Sequence, residues 1–147
     1  MNQKIKLLFS ADTQVKVRNN NLYSVYSANL SDITNIAKTE NVDAVVISGD
    51  LFEYCHPNES EISLIYQFIS SIVSIETVKE LVIMPGNHDL EKIKRKQSYG
   101  DDMNQTEHNA LSLFVDVLAK LDDDKRNKII YIDHSGLYES KFKDITT

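Results

Sequence analysis

The sequence has few of the residues that mark special classes of protein. Its 147 residues include one cysteine, Cys55, so no disulfide can form within the chain and we expect a reducing compartment. Four glycines and two prolines are too few for a fibrous repeat. No apolar run approaches the roughly 20 residues that span a bilayer, and the segment after Met1 does not resemble a secretory signal. We therefore expect a single-domain cytoplasmic protein with no membrane partner.

Positive charge is also scarce. The chain has 16 Lys and Arg against 22 Asp and Glu, a formal net charge of −6, which argues against a generic binder of polyanions. One basic cluster stands out, at Lys92, Lys94, Arg95 and Lys96. It predicts a place where a phosphate backbone would meet positive charge, and a solvated surface loop remains the open alternative.

The apolar pattern alternates between two periods. Short apolar segments bounded by polar turns predict strands at 5–9, 43–48, 79–85 and 129–132. Apolar residues at helical spacing predict helices at 22–40, 58–73 and 107–121. Asn58 and Glu61 have the spacing of a capping box at the start of the second helix. The alternation predicts an α/β fold, with a mainly parallel β-sheet and flanking helices.

Polar side chains follow three of the predicted strands. Asp12 follows the first, Gly49-Asp50 the second, and Gly86-Asn87-His88-Asp89 the third. Because the carboxyl ends of parallel strands meet at one edge of a sheet, these residues should converge. Carboxylate and amide oxygens suit a hard divalent metal, and an imidazole beside it can donate to a phosphoryl oxygen or a leaving alkoxide. The alternative, that these residues only cap strands and turns, stays open.

These motifs resemble, in order and spacing, the first three motifs of the calcineurin-like metallophosphoesterases. Gly49-Asp50-Leu51-Phe52 followed by Pro57, and the segment 131–138, further resemble the SbcD-type nucleases of double-strand-break repair. The resemblance covers nearly all of this chain but only the N-terminal half of the family's catalytic domain. It implies the first half of an αββα sandwich and a partial metallophosphoesterase domain over residues 1–147.

The resemblance also implies a role for each matched residue. Asp12 would bind the first metal ion, Asp50 would bridge two ions, and Asn87 would bind the second. His88 would stabilise the transition state, and Asp89 would orient His88 through a hydrogen bond. The implied cofactor is a pair of Mn²⁺ ions that activate a water for attack on a phosphodiester, with Mg²⁺ as the alternative cation.

The sequence departs from the family pattern at several positions. Gln14 stands where the first motif, Asp-x-His, has a histidine, and an amide oxygen is a weaker ligand for a borderline metal. Glu53 stands where the nucleases often have a histidine, and the nearby His56 could substitute for that histidine. We expect Glu53, His56 and the basic cluster to contact substrate. The family's later isolated histidine and Gly-His-x-His motif do not occur. We therefore expect a truncated chain, a split product, or a fold that has lost activity.

Two classes of function follow from this resemblance. The first is an SbcD-like DNA nuclease subunit that works beside an SMC-like ATPase of the SbcC type, with a phosphomonoesterase or cyclic-nucleotide phosphodiesterase of the same superfamily as the enzymatic alternative. The second is a non-catalytic binding module. Implied partners are DNA, a complementing C-terminal polypeptide and a second copy bound through helices 58–73 and 107–121. A split repair nuclease would suit a phage genome.

Overall fold

The structure, a computed structural model, describes residues 4–18, 20–89 and 118–132. In these ranges the strands are β1 (Leu7–Ser10), β2 (Ala44–Ser48), β3 (Glu80–Met84) and β4 (Ile129–Tyr131). The helices are α1 (Asn20–Thr39), α2 (Glu59–Val73) and α3 (Asp123–Arg126). The predicted strands and the first two helices are present with their ends shifted by at most two residues. The single turn of α3, which Asp122 caps, is visible in the sequence only as an acidic run.

The four strands form one parallel sheet in the order β1-β2-β3-β4, so the predicted α/β fold class is confirmed. Two cross-strand rows point to the helices, and both are built from apolar side chains apart from Ser10. The rows are Leu8, Val45, Leu81 and Ile129, then Ser10, Ile47, Ile83 and Tyr131. The strands lie in sequence order and their crossovers have the same hand. For this reason α1 and α2 lie on the same face of the sheet, where they pack on each other.

Helix α2 begins where the sequence predicts. The Asn58 side chain accepts from the Glu61 backbone N–H at 2.9 Å, and Glu61 Oε2 accepts from the Asn58 N–H at 2.8 Å, which completes the capping box. The apolar side of the helix is buried on the sheet, where Ile65, Ile69 and Ile72 are fully enclosed. This packing fixes the segment between β2 and α2, which carries part of the candidate site.

The opposite face of the sheet is less covered at its β1 edge. The row Phe9, Val46, Val82 and Ile130 runs across this face. Exposure is 64% at Phe9 and 49% at Leu7, but 9% at Val82. Strand β2 is apolar on both sides, as expected for a strand that is covered on both faces of the sheet. Its neighbour β1 instead leaves large apolar side chains exposed to solvent.

Several sequence-based expectations fall on residues that the structure does not describe. They are the basic cluster at 92–96, the segment 133–138 and the predicted helix 107–121 apart from its last four residues. The contribution of helices 58–73 and 107–121 to a dimer therefore stays a prediction. Within the described ranges, no helix combines the length and the apolar content needed to cross a membrane. The expected cytoplasmic location also stays a prediction.

Candidate functional site

Two loops lie side by side at the carboxyl edge of the sheet. The segment after β1 pairs with the segment after β2: the Asp12 N–H donates to the Gly49 carbonyl at 3.2 Å, and the Gln14 N–H to the Asp50 carbonyl at 2.9 Å. The pairing continues as a parallel bridge between Val15 and Phe52. The structure thus joins the first two sequence motifs through their backbones.

The backbone at this junction adopts an uncommon conformation. Asp12, Gln14 and Asp50 have φ of 54°, 43° and 53°, in the left-handed region that non-glycine residues rarely occupy. Gly49, with φ of 95°, adopts a positive φ at no steric cost. Among the described residues only Asn41 is another non-glycine case. Left-handed backbone of this kind collects at functional sites, where the surrounding structure holds it in place.

The third motif approaches the second without room for a side chain. A Cβ atom on Gly86 would overlap the Asp50 carboxylate and backbone nitrogen, so only glycine fits. A Cβ on Gly49 would lie 3.0 Å from the Gly86 Cα. The His88 backbone N–H donates to Asp50 Oδ1 at 2.8 Å. Asp50, which is buried, is therefore the residue at which all three motifs meet.

Asp89 joins the second and third motifs through hydrogen bonds to their backbones. Its carboxylate is fully buried and accepts backbone N–H groups of Gly86 at 2.8 Å, Phe52 at 2.9 Å and Leu51 at 3.2 Å. Burial raises the pKa of Asp89, while these three donors oppose the rise and the nearby Asp50 charge adds to it. The family resemblance implies that the Asp89 carboxylate accepts a hydrogen bond from His88. Its two oxygens instead accept from the backbone N–H groups of both loops.

His88 is oriented by Glu53 instead. The His88 Nδ1 lies 3.0 Å from the Glu53 carbonyl oxygen and 3.9 Å from its carboxylate Oε2. A carbonyl oxygen can only accept, so this contact assigns a proton to Nδ1. The His88 side chain is 38% exposed, and Nε2 is the ring nitrogen that this contact does not use. Glu53, expected from the sequence to contact substrate, is thus placed against the catalytic candidate.

The predicted metal ligands differ in their exposure. Asp12 and Asn87 are exposed, Gln14 is half-buried and Asp50 is buried. Two carboxylates and two amide oxygens form a donor set that suits Mn²⁺ or Mg²⁺ by its chemistry. However, in the ranges that the structure describes no three His, Cys, Asp or Glu side chains gather closely enough to hold a metal. The donors fit such an ion in type and supply only part of a coordination shell.

His56 does not join this group in the structure. Its exposed ring has Nδ1 3.0 Å from the Cys55 sulfur, a contact that gives no support to His56 as a replacement for the family's histidine. The basic cluster at 92–96 lies outside the described residues.

Sequence reasoning missed the residues beside Glu53. The side chains of Lys16 and Arg18 both lie over the ring of Tyr54, at 5.1 Å and 4.6 Å from its centroid. The alternation Lys16-Val17-Arg18 was the available signal, because in extended backbone it places both basic side chains on one side.

Comparison with known proteins gives relatives for this chain. The family model for calcineurin-like phosphoesterases matches residues 5–146. The SbcD component of nuclease SbcCD from Staphylococcus saprophyticus is 30% identical over 108 residues, 74% of this chain and 26% of that protein. The corresponding protein from Bacillus subtilis is 33% identical over 60 residues, 41% of this chain and 15% of that protein. The one from Rhodobacter capsulatus is 31% identical over 64 residues, 44% of this chain and 16% of that protein. The chain spans about a quarter or less of the length of these relatives.

Proposed function

The chain belongs to the calcineurin-like phosphoesterase family, and from that premise we propose that it is the N-terminal part of an SbcD-like nuclease subunit that hydrolyses DNA phosphodiesters. The observation that carries the proposal is the meeting of three strand ends at Asp50, with His88 held beside it. The names of the relatives supply the nuclease branch. Residues 1–147 would then form a partial metallophosphoesterase domain.

The proposed cofactor is Mn²⁺, with Mg²⁺ as the alternative. Asp12, Gln14, Asp50 and Asn87 would hold the metal, with Asp50 as the shared ligand if two ions bind. When bound, the metal would supply charge stabilisation at the phosphoryl oxygens and a more acidic water. The chain contributes position: Asp12 and Asp50 each follow the last residue of their strand by two residues, and both adopt left-handed backbone.

His88 is the proposed proton donor. With Nδ1 on the Glu53 carbonyl, Nε2 is the remaining ring nitrogen, and in the protonated form of the imidazole Nε2–H would donate to a phosphoryl oxygen or to the leaving alkoxide. Asp89 is a positioning residue in this account. It holds the loop of His88 against the loop of Asp50 and does not itself reach the substrate.

The site requires additional ligands, which we propose come from a complementing C-terminal polypeptide. The relatives are several times longer than the matched region, and the sheet leaves Phe9 and Leu7 exposed on the face opposite α1 and α2. Covering these side chains would bury apolar surface and bring a second set of ligands to the same edge. DNA and an SMC-like ATPase of the SbcC type are the further proposed partners, together with a second copy of this chain.

A non-catalytic binding module is the second candidate. Gln14 in place of the family's histidine, together with the small number of acidic or imidazole ligands among the described residues, favours it for the isolated chain. In that case the fold would bind its partners but would not cleave DNA.

A nuclease assay separates these functions. Labelled DNA is incubated with Mn²⁺ and the chain, with and without a polypeptide that supplies the rest of the catalytic domain. We expect cleavage only with both, and a loss of about a hundredfold or more for His88→Asn, the usual scale for a general acid. His108→Asn, which changes a histidine with no proposed role, is the matched control and should stay within a few fold. Absence of metal-dependent cleavage, or full activity of His88→Asn, would refute the nuclease; hydrolysis of phosphomonoesters alone would favour the other enzymatic class.

A further inference from the structure

A pair of basic side chains lies at the edge of the candidate site and is not used in the chemistry proposed above. Lys16 and Arg18 flank Val17, which is buried and held on both sides: its N–H donates to Glu61 Oε1 at 2.8 Å and its carbonyl accepts from the Asn58 side chain at 3.2 Å. Val17 is buried, whereas Lys16 on one side of it is half-buried and Arg18 on the other side is exposed. The capping box of α2 therefore also sets where these two cations stand.

Both cationic groups lie over the aromatic ring of Tyr54. The Lys16 ammonium lies 5.1 Å and the Arg18 guanidinium 4.6 Å from the centroid of its ring, both within the range of cation–π attraction. The Tyr54 side chain is the largest cause that raises the pKa of Lys16 above its usual value and the Glu53 charge adds to the rise, while burial and the Arg18 charge oppose it. Within residues 4–18, 20–89 and 118–132, neither cation is in salt-bridge contact with a carboxylate. The ring of Tyr54 thus positions both charges, and no carboxylate of the described ranges forms an ion pair with them.

This pair stands one loop away from His88. The Glu53 N–H donates to the Val15 carbonyl at 3.2 Å, which joins the start of the Lys16 segment to the residue whose carbonyl orients His88. Tyr54 directly follows Glu53 in the sequence. If the substrate is a DNA strand, we expect the phosphates next to the phosphodiester at His88 to lie near Lys16 and Arg18. A phosphomonoester would end before reaching them.

We propose that Lys16 and Arg18, held on the ring of Tyr54, bind backbone phosphates of a DNA strand next to the phosphodiester positioned at Asp50 and His88. This inference rests on the proposed function and adds to it a binding subsite and a requirement for a polymeric substrate. Lysine and arginine suit the role because phosphate contacts supply affinity and register without reading sequence. The pair would matter all the more in a chain whose net charge is −6.

The test measures binding without catalysis. The 147-residue chain is titrated against a fluorescein-labelled single-stranded oligonucleotide, with EDTA present, at salt concentrations from about 25 to 200 mM, and binding is followed by fluorescence anisotropy. Loss of two phosphate contacts should lower the slope of log K against log salt by about 1.4 for a single strand and weaken binding about tenfold or more at about 50 mM salt. Lys16→Ala/Arg18→Ala is the test variant.

The matched control is Lys38→Ala/Lys120→Ala. It removes the same charge from exposed side chains at the end of α1 and before α3. Both positions precede a strand, so they lie toward the end of the sheet where the strands begin, away from the candidate site. We expect binding within about twofold of wild type, since distant charges are largely screened. Tyr54→Phe should keep the affinity, because the ring remains, whereas Tyr54→Leu should lower it. Circular dichroism of each variant verifies that the fold is retained.

Three results would overturn the inference: no binding by the wild type at about 25 mM salt, an unchanged slope in the Lys16→Ala/Arg18→Ala variant, or an equal loss in the control variant. Failure of the proposed function would show separately, as the absence of Mn²⁺-dependent hydrolysis of DNA by the wild-type chain with its complementing polypeptide. The binding assay contains no free metal, so either conclusion can fail without the other.

Discussion

Asp89 is the residue whose substitution tests the architecture of the site most sharply. Its buried carboxylate accepts three backbone N–H groups, from Leu51, Phe52 and Gly86, and so joins the second motif to the third. Asp89→Ala would leave two buried donors and one part-buried donor without this partner, at about 1–3 kcal/mol for each buried donor and less for the third, partly offset because a buried charge is removed as well. We expect a loss of about 3–5 kcal/mol. Asp89→Asn keeps one acceptor oxygen and should cost about 1–3 kcal/mol.

Urea denaturation followed by circular dichroism measures both losses. Asp32→Asn, on the exposed side of α1, is the matched control and should change the free energy of unfolding by less than about 0.5 kcal/mol. A loss below about 1 kcal/mol for Asp89→Ala would refute the reasoning, since it would mean that the three amides find water or other partners without cost.

The pH dependence of Asp89 has a definite sign. Burial raises its pKa in the folded state above the ordinary value of 3.8, so folding favours the protonated form. The stability that this gives is fully present below the unfolded pKa and is lost as the pH rises through the folded pKa. The stability difference between wild type and Asp89→Asn should therefore be largest near pH ~3 and shrink toward neutrality. A difference that grows with pH would show that the three N–H donors outweigh burial.

Three further substitutions probe the site and its support. Gln14→His should strengthen Mn²⁺ binding, because imidazole is the better ligand for a borderline metal and histidine tolerates positive φ; equal affinity by calorimetry would contradict this. Gly86→Ala should lower stability by about 1–3 kcal/mol and weaken Mn²⁺ binding, because its Cβ overlaps the Asp50 carboxylate; unchanged melting and binding would contradict it. Lys128→Met should cost about 1 kcal/mol by urea denaturation, because its ammonium binds two carbonyls at the end of α2; Lys120→Met should be neutral.

Most of the fold was predictable because it depends on local patterns. The apolar segments 43–48 and 79–85 are short and bounded by polar turns, and both are strands within one residue of the predicted ends. Asn58 and Glu61 give the start of α2 because a capping box depends on residues three apart. The turn of α3 was missed because four polar residues show no apolar period.

The candidate site was predictable in its members and not in its contacts. Sequence spacing placed Asp12, Asp50 and His88 at one edge, but which atom orients His88 depends on how two loops pack. Asp89 is adjacent to His88 in sequence and yet turns to the backbone of the loop after β2, while Glu53, distant in sequence, provides the contact. The link between Lys16 and Tyr54 likewise joins two segments that only the folded chain brings together.

Titration calorimetry with Mn²⁺ tests the central claim most directly, since the proposed chemistry requires Asp50 to be a metal ligand. Asp50→Asn is the sharpest comparison because an asparagine oxygen can still accept the His88 N–H, so the loop should keep its fold. We predict saturable Mn²⁺ binding by the wild-type chain together with its complementing polypeptide, and a loss of affinity of about tenfold or more in Asp50→Asn, since a carboxylate ligand is lost. No heat of binding by the wild-type pair, or equal affinity in the variant, would contradict the account.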